Sequence, residues 1–415
     1  MTIHVPALGH NAPVEEWLVA AGLDGLSVSQ LLEGFATRLN AEGIAIGRAF
    51  LAIATLHPLV RARGSTWLAG QGPVGQAEMP HRNPGDIPEA AWQDSPFRHM
   101  LENNVFELRR RLSGPQAQLD FPVLKEFAES GYTDWLALAY SFGWDLQGSQ
   151  IEDSHVGVGM ISSFAASGAA GFDAKAMARL RSLVPLLALA VKAATLTQIA
   201  RDVTASYIGG DAATHVLSGE IRRGAAKKVD AVILCADLRG FTAMADRLSI
   251  EPLVATLNAY FDCLGPAIAS RGGEVLKFLG DGLLASFHLR SGDDPAPVCA
   301  AALDAAEDAL ACVAALNAER QTAALPALEL DISLHRGLVM YGNVGTGTRL
   351  DFTLIGPAVN EAARLENLCS GLDRNLLASS SFAAAAGPAA QRLVSLGSHR
   401  LRGVAQPREV FGLAG

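Results

Sequence analysis

A short segment in the second half of the chain constrains its fold more than any other feature. The sequence KFLGDGLLASF, residues 277–287, places Asp281 between two glycines and between two apolar runs. Asp-Gly flanked by apolar runs is a strong signal for a two-residue β-hairpin. We therefore predict that Asp281 lies at the tip of a hairpin. The simplest interpretation is that it only makes the turn, and the rest of the chain decides whether it also binds something.

The composition bounds the class of protein. The chain has 415 residues, enough for two or three domains, and half of them are hydrophobic, so it can bury real cores. Its formal net charge of −9 argues against a nucleic-acid-binding surface, which needs a basic stripe. We expect no nucleic-acid partner. A bound nucleotide stays compatible with this charge because it needs only a local cradle and a metal ion.

Cysteine usage and hydropathy predict a cytoplasmic protein. The five cysteines show no C-x-x-C spacing, so we expect reduced thiols and neither a zinc site nor a disulfide framework. The N-terminus lacks the basic region and apolar run of a signal peptide. The most apolar segment, Leu183–Leu196, contains Lys192 and is too short to span a bilayer, so we expect no transmembrane segment.

The first half of the chain mixes helical and strand patterns. We predict a helix over Val28–Gly43 and strands over Ala45–Pro58, Asp134–Phe142 and Val156–Ala166. Together they indicate a five- or six-stranded sheet with helices, of the kind found in small-molecule sensor domains. The glycines of residues 157–172 do not form a dinucleotide-binding motif. The scattered histidines are more often loop or core residues than haem or metal ligands; they include His57, His81, His99 and His155.

A long helical pattern follows, over residues 171–210. Asp173 can cap its start, and Pro185 would kink the helix or mark a late start. We favour a dimeric coiled coil, with a helix packed on its own domain as the alternative. The residues at heptad steps are Val184, Leu187, Val191 and Ala194. Residues 207–228 then form a linker with broken helical character.

A second carboxylate precedes the hairpin. The apolar, β-branched run Val229–Leu238 indicates a buried strand, and Asp237 stands near its end, before a helical segment. If the hairpin pairs with this strand, Asp237 and Asp281 meet, and two facing carboxylates repel unless a cation lies between them. A two-metal site for an in-line displacement at phosphorus follows. The alternative for Asp237 alone is a helix cap.

The remaining pattern alternates strands and helices. We predict a helix, a strand, a glycine-spaced loop, a second strand and a second helix. In chain order these are Ala296–Asn317, Leu328–His335, Gly337–Gly347, Asp351–Ile355 and Val359–Leu368.

Four segments in register resemble the class III adenylate/guanylate cyclase catalytic domain. They are ADLRGFT, KFLGDGLLASF, LHRGLVMYGNVGT and DFTLIGPAVNEAARLENL, and the resemblance covers roughly Val229 to Leu413. It implies a ferredoxin-like α/β fold for a catalytic domain over residues 229–415. Residues 171–228 resemble a signalling helix and cyclase transducer, here expected as a helical coiled-coil linker. Residues 1–170 resemble a GAF- or PAS-like α+β sensor domain.

The resemblance also implies how metal ions and phosphate would be bound. Two Mg²⁺ or Mn²⁺ ions per site would be held by the carboxylates of Asp237 and Asp281 and by the main-chain carbonyl of Leu238. Free N–H groups at a helix start can point at phosphate oxygens. The residues expected to meet the triphosphate are Gly240, Phe241, Thr242 and, in the closing hairpin, Arg402.

The same resemblance assigns the base and the transition state. Lys277 would donate to the adenine ring and Thr353 would accept from its exocyclic amine, a pair also seen in the bicarbonate-responsive subgroup. Asp351 is two positions away from Thr353 and is interpreted as a strand-start residue. Asn360 and Arg364, one helical turn apart, would stabilise the transition state. Guanine would favour Glu at position 277, so we expect ATP as the substrate.

The expected function is adenylate cyclase activity in a homodimer whose sites each combine two chains. The product would be 3′,5′-cyclic AMP with pyrophosphate, under control of an unidentified small-molecule ligand of the N-terminal domain. Two alternatives stay open: a guanylate cyclase, and a catalytically silent module for dimerisation or nucleotide sensing. A diguanylate cyclase is disfavoured because FLGDG differs from the loop of that family.

Overall fold

The computed structural model describes residues 12–81, 90–144, 158–290, 292–404 and 406–414. The chain divides into two compact units, Met1–Val203 and Thr204–Gly415, and each is a mixed α+β unit. The signal-peptide prediction falls largely on residues 1–11, and the prediction for His155 on residues 145–157; both stretches lie outside the described residues.

The first unit is built on a six-stranded antiparallel sheet with the strand order β3-β2-β1-β6-β5-β4. The prediction of a five- or six-stranded sheet with helices is confirmed, and its likeness to a GAF or PAS domain stays a prediction. The strands are β1 (Ile46–Ala54), β2 (Val60–Leu68), β3 (Gly72–Pro80), β4 (Glu107–Arg111), β5 (Asp134–Trp144) and β6 (Val158–Ala166).

Helices cover this sheet, and the second of them begins at a capping motif in the sequence. The second helix begins after Ser27, whose side chain and that of Gln30 form a reciprocal capping box. Its apolar side, including Phe35, is buried in the unit's main core. The helices are α1 (Val14–Leu23), α2 (Val28–Ala41), α3 (Ala90–Gln93), α4 (Pro96–Glu102), α5 (Pro122–Glu129) and α6 (Ala174–Ile208).

Helix α6 is one 35-residue helix that continues through Pro185. Val184, Leu187 and Val191 are fully buried in the core of the first unit. The coiled-coil prediction is therefore wrong for these positions, because their apolar side chains are already used within one chain. The alternative, a helix packed on its own domain, describes them.

The same helix bears on the prediction of no transmembrane segment, which stays a prediction. Leu183–Leu196 is only part of α6, which is long and apolar enough to cross a bilayer by length and composition. In its most apolar window 44% of the residues are buried within the protein. A core helix with this packing is weak evidence for a membrane span.

The second unit contains an eight-stranded sheet with the order β13-β14-β12-β10-β7-β9-β8, and β11 pairs with β10. The strands are β7 (Ala226–Leu238), β8 (Glu274–Leu279), β9 (Gly282–Leu289), β10 (Leu330–Gly345), β11 (Leu350–Ile355), β12 (Leu376–Ser379), β13 (Leu393–His399) and β14 (Arg408–Leu413). Its α-helices are α7 (Gly210–Leu217), α8 (Phe241–Ala245), α9 (Ile250–Ser270), α10 (Pro295–Thr322), α11 (Pro357–Glu366) and α12 (Ser380–Ala385).

The glycine-spaced segment after residue 336 is strand rather than the predicted loop. Strand β10 continues to Gly345 because it finds hydrogen-bonding partners on both sides. Its register with β7 extends to Gly342 opposite Ala226, and β11 pairs with its last residues. Glycine spacing indicated a loop, but a long partner strand decides the conformation here.

One pair of cysteines departs from the prediction of reduced thiols. Cys263 on α9 and Cys312 on α10 form a disulfide, with their Cα atoms 5.4 Å apart. These two helices pack against each other, which brings positions 49 residues apart within bridging distance. Cys235, Cys299 and Cys369 are free and buried.

Candidate active site

The two aspartates predicted to bind metal ions lie at neighbouring strand ends. Strands β8 and β9 form a hairpin in which Leu279 pairs with Gly282, so Gly280 and Asp281 make its two-residue turn. Gly280 takes a φ of +70°, which glycine adopts without strain. The predicted hairpin is confirmed. Strand β9 also pairs with β7, and this brings Asp281 beside Asp237.

Burial and mutual repulsion shape the electrostatics of this pair. Burial, and then the charge of Asp281, raise the pKa of Asp237 to about 6. A half-buried carboxylate beside a second one is disfavoured in its charged form, and a divalent cation between them would relieve the repulsion. Oxygen ligands suit Mg²⁺ and Mn²⁺. The pair, together with the carbonyl of Leu238, therefore fits the predicted metal ions.

Among the described residues, no cluster of three or more His, Cys, Asp or Glu side chains has the geometry of a metal site. The predicted ligand set differs from such a cluster, because it has two carboxylates and one main-chain carbonyl. Substrate phosphates commonly complete the coordination of Mg²⁺.

The segment expected to meet phosphate follows the first aspartate directly. Gly240, with a φ of +77°, precedes the short helix α8, and Phe241 and Thr242 form its first turn. The N–H of Met244 donates to the carbonyl of Gly240, so the helix hydrogen bonds begin there. The N–H groups of a first turn have no partner within their own helix.

An arginine missed by the sequence analysis fixes the same turn. The Arg239 guanidinium donates to both carboxylate oxygens of Asp331, at 3.0 and 2.6 Å, and to Glu329 at 2.8 Å. Asp331 is 4% exposed and stands opposite Asp237 in the β10–β7 register. The signal in the sequence for this ion pair was an aspartate among the apolar residues at the start of β10, because a buried aspartate needs a partner.

A fourth carboxyl group adds to the negative charge of the site. Glu366, at the end of α11, is half-buried, and burial raises its pKa to about 7, with contributions from Asp237, Asp331 and Asp281. The sequence analysis did not single out this residue. The carboxyl group at the end of α11 is therefore close enough to the carboxylates at the ends of β7 and of the β8–β9 hairpin for their charges to raise its pKa.

The residues predicted to read the base lie on β8 and β11. Lys277 Nζ is 2.7 Å from Asp351 Oδ2, an ion pair that the sequence analysis did not predict. Thr353 stands two residues further on β11, so its side chain leaves the strand on the same face as that of Asp351. The lysine holds the pKa of Asp351 below its usual range.

The predicted transition-state residues share helix α11. Asn360 and Arg364 are one turn apart, as the spacing predicted. A Cβ atom added to Gly403 would lie 3.4 Å from the Arg364 guanidinium, so the β13–β14 turn that carries Arg402 lies beside it. Within the described part of the chain, Asn360, Arg364 and Arg402 form no side-chain hydrogen bond or ion pair that would occupy them.

Comparisons with known proteins agree with these motifs. Residues 225–408 match the family described as the adenylate and guanylate cyclase catalytic domain. An adenylate cyclase of Anabaena cylindrica is 36% identical over 187 residues, covering 44% of this chain and 36% of that protein. Adenylate cyclase 1 of Rhizobium meliloti is 30% identical over 169 residues, covering 40% of this chain and 25% of that protein.

Among solved structures, a bacterial light-regulated adenylyl cyclase is similar with a TM-score of 0.46 and 26% identity, over 56% of this chain and 65% of that one. The chain spans only about a third or less of the length of the two curated relatives. The family match covers the segment that contains Asp237, Asp281, Lys277, Asn360 and Arg364. Residues 225–408 of this chain are therefore similar to the adenylate and guanylate cyclase catalytic domain.

Proposed function

We propose that the chain is an adenylate cyclase that converts ATP into 3′,5′-cyclic AMP and pyrophosphate. The observation that carries the proposal is the pairing of Asp237 and Asp281 at the ends of adjacent strands, where a cation between them would relieve their repulsion. The cyclase family match and the two relatives named adenylate cyclases support it.

In this proposal the chain's own groups position and neutralise the nucleotide. Bound at Asp237, Asp281 and the Leu238 carbonyl, two Mg²⁺ or Mn²⁺ ions would lower the pKa of the ribose 3′-hydroxyl and neutralise the phosphates. Asn360 orients the ribose by hydrogen bonding, so that the 3′-oxygen faces the α-phosphorus in line with the leaving pyrophosphate. Arg364 neutralises charge that develops on the α-phosphate.

Further groups would fix the ends of the nucleotide. Lys277 donates to N1 of adenine, and Thr353 accepts from the exocyclic amine. First-turn N–H groups at Gly240, Phe241 and Thr242 meet phosphate oxygens, and Arg402 offers a bidentate guanidinium to the triphosphate.

We also propose a homodimer with two equivalent sites. Asn360 and Arg364 lack side-chain partners among the described residues of their own chain, whereas Lys277 is paired only with Asp351. A second copy would bring its Asp237–Asp281 pair to these groups, as the family resemblance implies. ATP is the proposed substrate, and the first unit is proposed as a cytoplasmic sensor that regulates the dimer.

One observation supports a second candidate substrate. The Asp351 carboxylate, beside Lys277, offers an acceptor that could bind the N1–H and N2 amine of guanine. GTP is therefore the alternative substrate, and a silent module is the alternative function.

A direct assay tests the proposal. Purified full-length protein is incubated with ATP or GTP and with Mg²⁺ or Mn²⁺, and cyclic nucleotide is quantified. Cyclic AMP made by the wild type and lost in Asp281→Ala supports the adenylate cyclase, and Asp246→Asn, an exposed carboxylate after α8, serves as the matched control. Cyclic GMP as the main product favours the alternative substrate. No product with either nucleotide favours the silent module.

A further inference from the structure

The last strand of the first unit's sheet carries three consecutive arginines that the proposed cyclase chemistry does not use. Strand β4 ends in Arg109, Arg110 and Arg111. Because side chains alternate along a strand, Arg109 and Arg111 lie on one face of the sheet and Arg110 on the other. Arg111 pairs in register with Asp134 of β5, the neighbouring strand. Two of the three guanidinium groups therefore lie on the same face as Asp134.

The buried carboxylate of Asp134 fixes both of these guanidinium groups. Asp134 is 0% exposed. Arg109 donates to both of its oxygens, at 3.2 and 2.5 Å, and Arg111 Nη1 lies 3.2 Å from Oδ2. The main-chain N–H of Phe172 also donates to Oδ2, at 3.0 Å. Since charge-assisted hydrogen bonds hold this buried carboxylate from several sides, the two arginines that bind it keep their positions.

A tight turn after β6 supports the same two arginines. The carbonyl of Ala170 accepts from Arg111 at 2.8 Å, and the carbonyl of Phe172 accepts from Arg109 at 2.5 Å. A Cβ atom added to Gly171, which lies between these two carbonyls, would collide with the Arg111 guanidinium, so only glycine allows this close approach. The fold thus orders both side chains in advance, and a ligand that binds them does not meet the cost of ordering them.

The outer edges of the two guanidinium groups are open. Arg111 uses only Nη1, which leaves its Nε and Nη2, and Arg109 leaves its Nη1. Within the described ranges these three nitrogens have no hydrogen-bond acceptor. The side chains of Arg109 and Arg111 are 30% and 36% exposed, so a solute can reach these edges. The Nε–Nη2 edge of an arginine presents two parallel N–H groups, which match the two oxygens of one carboxylate.

The charges at this corner of the sheet do not balance. Two guanidinium groups share the single carboxylate of Asp134, which leaves one positive charge in excess. Glu107, two residues before Arg109 on the same strand, is bound by Arg181 at 2.6 Å. Arg110, on the opposite face, has its own partner in Asp120, at 2.8 Å. In the part of the chain that the structure describes, the pair on Asp134 therefore lacks one counter-charge.

The open edges line a cavity of about 630 Å³, a volume within the range of small-molecule sites. Its other wall is the exposed loop that follows β4. The N–H of Gln118 donates to the carbonyl of Arg111 at 2.8 Å and so ties this loop to the strand. We call this space the β4 cavity, and its lining residues are Arg109, Arg111, Pro115, Gln116, Ala117 and Gln118.

We propose that the β4 cavity binds a small polar carboxylate, of the class of the hydroxy acids, through Nε and Nη2 of Arg111 and Nη1 of Arg109. One positive charge in excess matches one carboxylate better than a phosphate dianion. The amides of Gln116 and Gln118 offer donors and acceptors to a polar body, and the lining contains no aromatic ring. All of these residues belong to the first unit, so this proposal and the proposed cyclase can fail independently.

Saturation-transfer NMR on the full-length chain, at constant ionic strength, measures the binding. The probes are lactate, glycerate and gluconate, with lactamide as the uncharged comparison and inorganic phosphate as the second anion. We expect at least one of the three acids to bind saturably, with a dissociation constant on the order of 1 mM. Lactamide should bind at least about tenfold more weakly, because it cannot form the charge-assisted pair with Arg111.

Variants of Arg111 separate recognition of the carboxylate from attraction by charge. Arg111→Gln should weaken acid binding more than about tenfold, and Arg111→Lys, which keeps the charge but loses the edge of two N–H groups, about three- to fivefold. Asp134 keeps a partner in both variants, since Arg109 still donates to both of its oxygens. Arg110→Gln is the matched control, because it removes the same charge from the opposite face of the same strand and should leave binding unchanged.

A variant in the loop tests the cavity without changing the arginines. Gln116→Glu places a negative charge on the exposed wall of the β4 cavity, and repulsion should weaken acid binding by roughly threefold or more at low salt. Gln116 is exposed, so this substitution has little effect on the fold. It therefore tests the proposal even if neither variant of Arg111 folds.

Four results would overturn the proposal. The first is no saturable binding of any of the three acids up to about 50 mM. The second is equal binding of lactate and lactamide. The third is equal loss of binding in Arg110→Gln and Arg111→Gln, or unchanged binding in both Arg111→Gln and Gln116→Glu. The fourth is preference for inorganic phosphate over all three acids, because the charge argument would then be wrong.

Discussion

Lys277 Nζ lies 2.7 Å from Oδ2 of Asp351, so the lysine proposed to read the base is held by a carboxylate two residues before Thr353. A lysine side chain has four rotatable bonds, and a fixed partner limits the positions of its ammonium group. Asp351 therefore has the geometry of a residue that positions Lys277 for the base.

Replacing that carboxylate tests its role. Asp351→Asn should lower kcat/KM for ATP by roughly three- to tenfold, mostly through a higher KM, because one hydrogen bond to a charged partner is lost. Steady-state kinetics with ATP and GTP measure it. Asp308→Asn is the matched control, since it breaks the exposed Arg271–Asp308 ion pair, also of 2.7 Å, which involves neither Lys277 nor Asp351. Loss of GTP turnover with ATP turnover intact would instead make Asp351 a reader of guanine.

Metal binding can be measured without turnover. Asp281→Asn should weaken Mn²⁺ binding at least tenfold, because it removes one of the two carboxylate ligands from the β7–hairpin junction. Electron paramagnetic resonance of free Mn²⁺ gives the affinity in the absence of nucleotide. Asp246→Asn should bind Mn²⁺ like the wild type. Equal affinity in Asp281→Asn and the wild type would contradict the proposed ligand set.

Removing the ion pair between Arg239 and Asp331 should lower the stability of the second unit alone. Arg239→Ala leaves a carboxylate that is 4% exposed without its bidentate partner, which should cost about 2–4 kcal/mol. All five tryptophans lie before residue 145, so their fluorescence reports on the first unit alone, whereas circular dichroism reports on both units. The dichroism transition should move to lower urea and the fluorescence transition should not. Movement of both, or of neither, would contradict a local clamp.

The sequence specified much of this site because its signals are local. Asp-Gly between apolar runs sufficed for the hairpin at Asp281, and the i, i+4 spacing sufficed to place Asn360 and Arg364 on one helix face. Strand β7 could be predicted from its run of buried, β-branched residues.

The features that were missed depend on partners distant in sequence. The ion pair of Lys277 with Asp351, the clamp of Arg239 on Asp331 and the disulfide between α9 and α10 all join separate elements. The glycine-rich end of β10 became strand because β7 and β11 supply its hydrogen bonds. The heptad pattern of α6 fitted a dimer seam and a single-chain core equally well, and only packing distinguished them.

Glu366 predicts a pH dependence of stability in metal-free buffer. Its pKa is raised to about 7 from 4.5, so the folded state binds more protons than the unfolded state between these values. Stability therefore falls as pH rises through this window. Glu366→Gln should flatten that slope, leaving the part due to the raised pKa of Asp237, and be more stable than the wild type at pH 8, by at most about 3 kcal/mol, with no gain at pH 4.

Dichroism-detected urea unfolding in EDTA at several pH values measures this effect. Glu251→Gln, an exposed carboxylate in the first turn of α9, should keep the wild-type slope. Added Mg²⁺ should flatten only part of the wild-type slope, because burial is the main cause of the raised pKa of Glu366 and a cation at Asp237 and Asp281 offsets the smaller contribution of their charges. An unchanged slope in Glu366→Gln would show that another group titrates there.

The proposed division of each site between two chains makes a sharp prediction for mixed dimers. Asp281→Ala and Arg364→Ala should each be inactive as homodimers, because every site then lacks either a metal ligand or its transition-state arginine. In a heterodimer of the two variants, one site has both lesions and the other has none. Tandem affinity tags isolate that heterodimer, and it should show about half of the wild-type activity. If each chain instead built a complete site from its own residues, both sites of the heterodimer would carry one lesion and it would stay inactive.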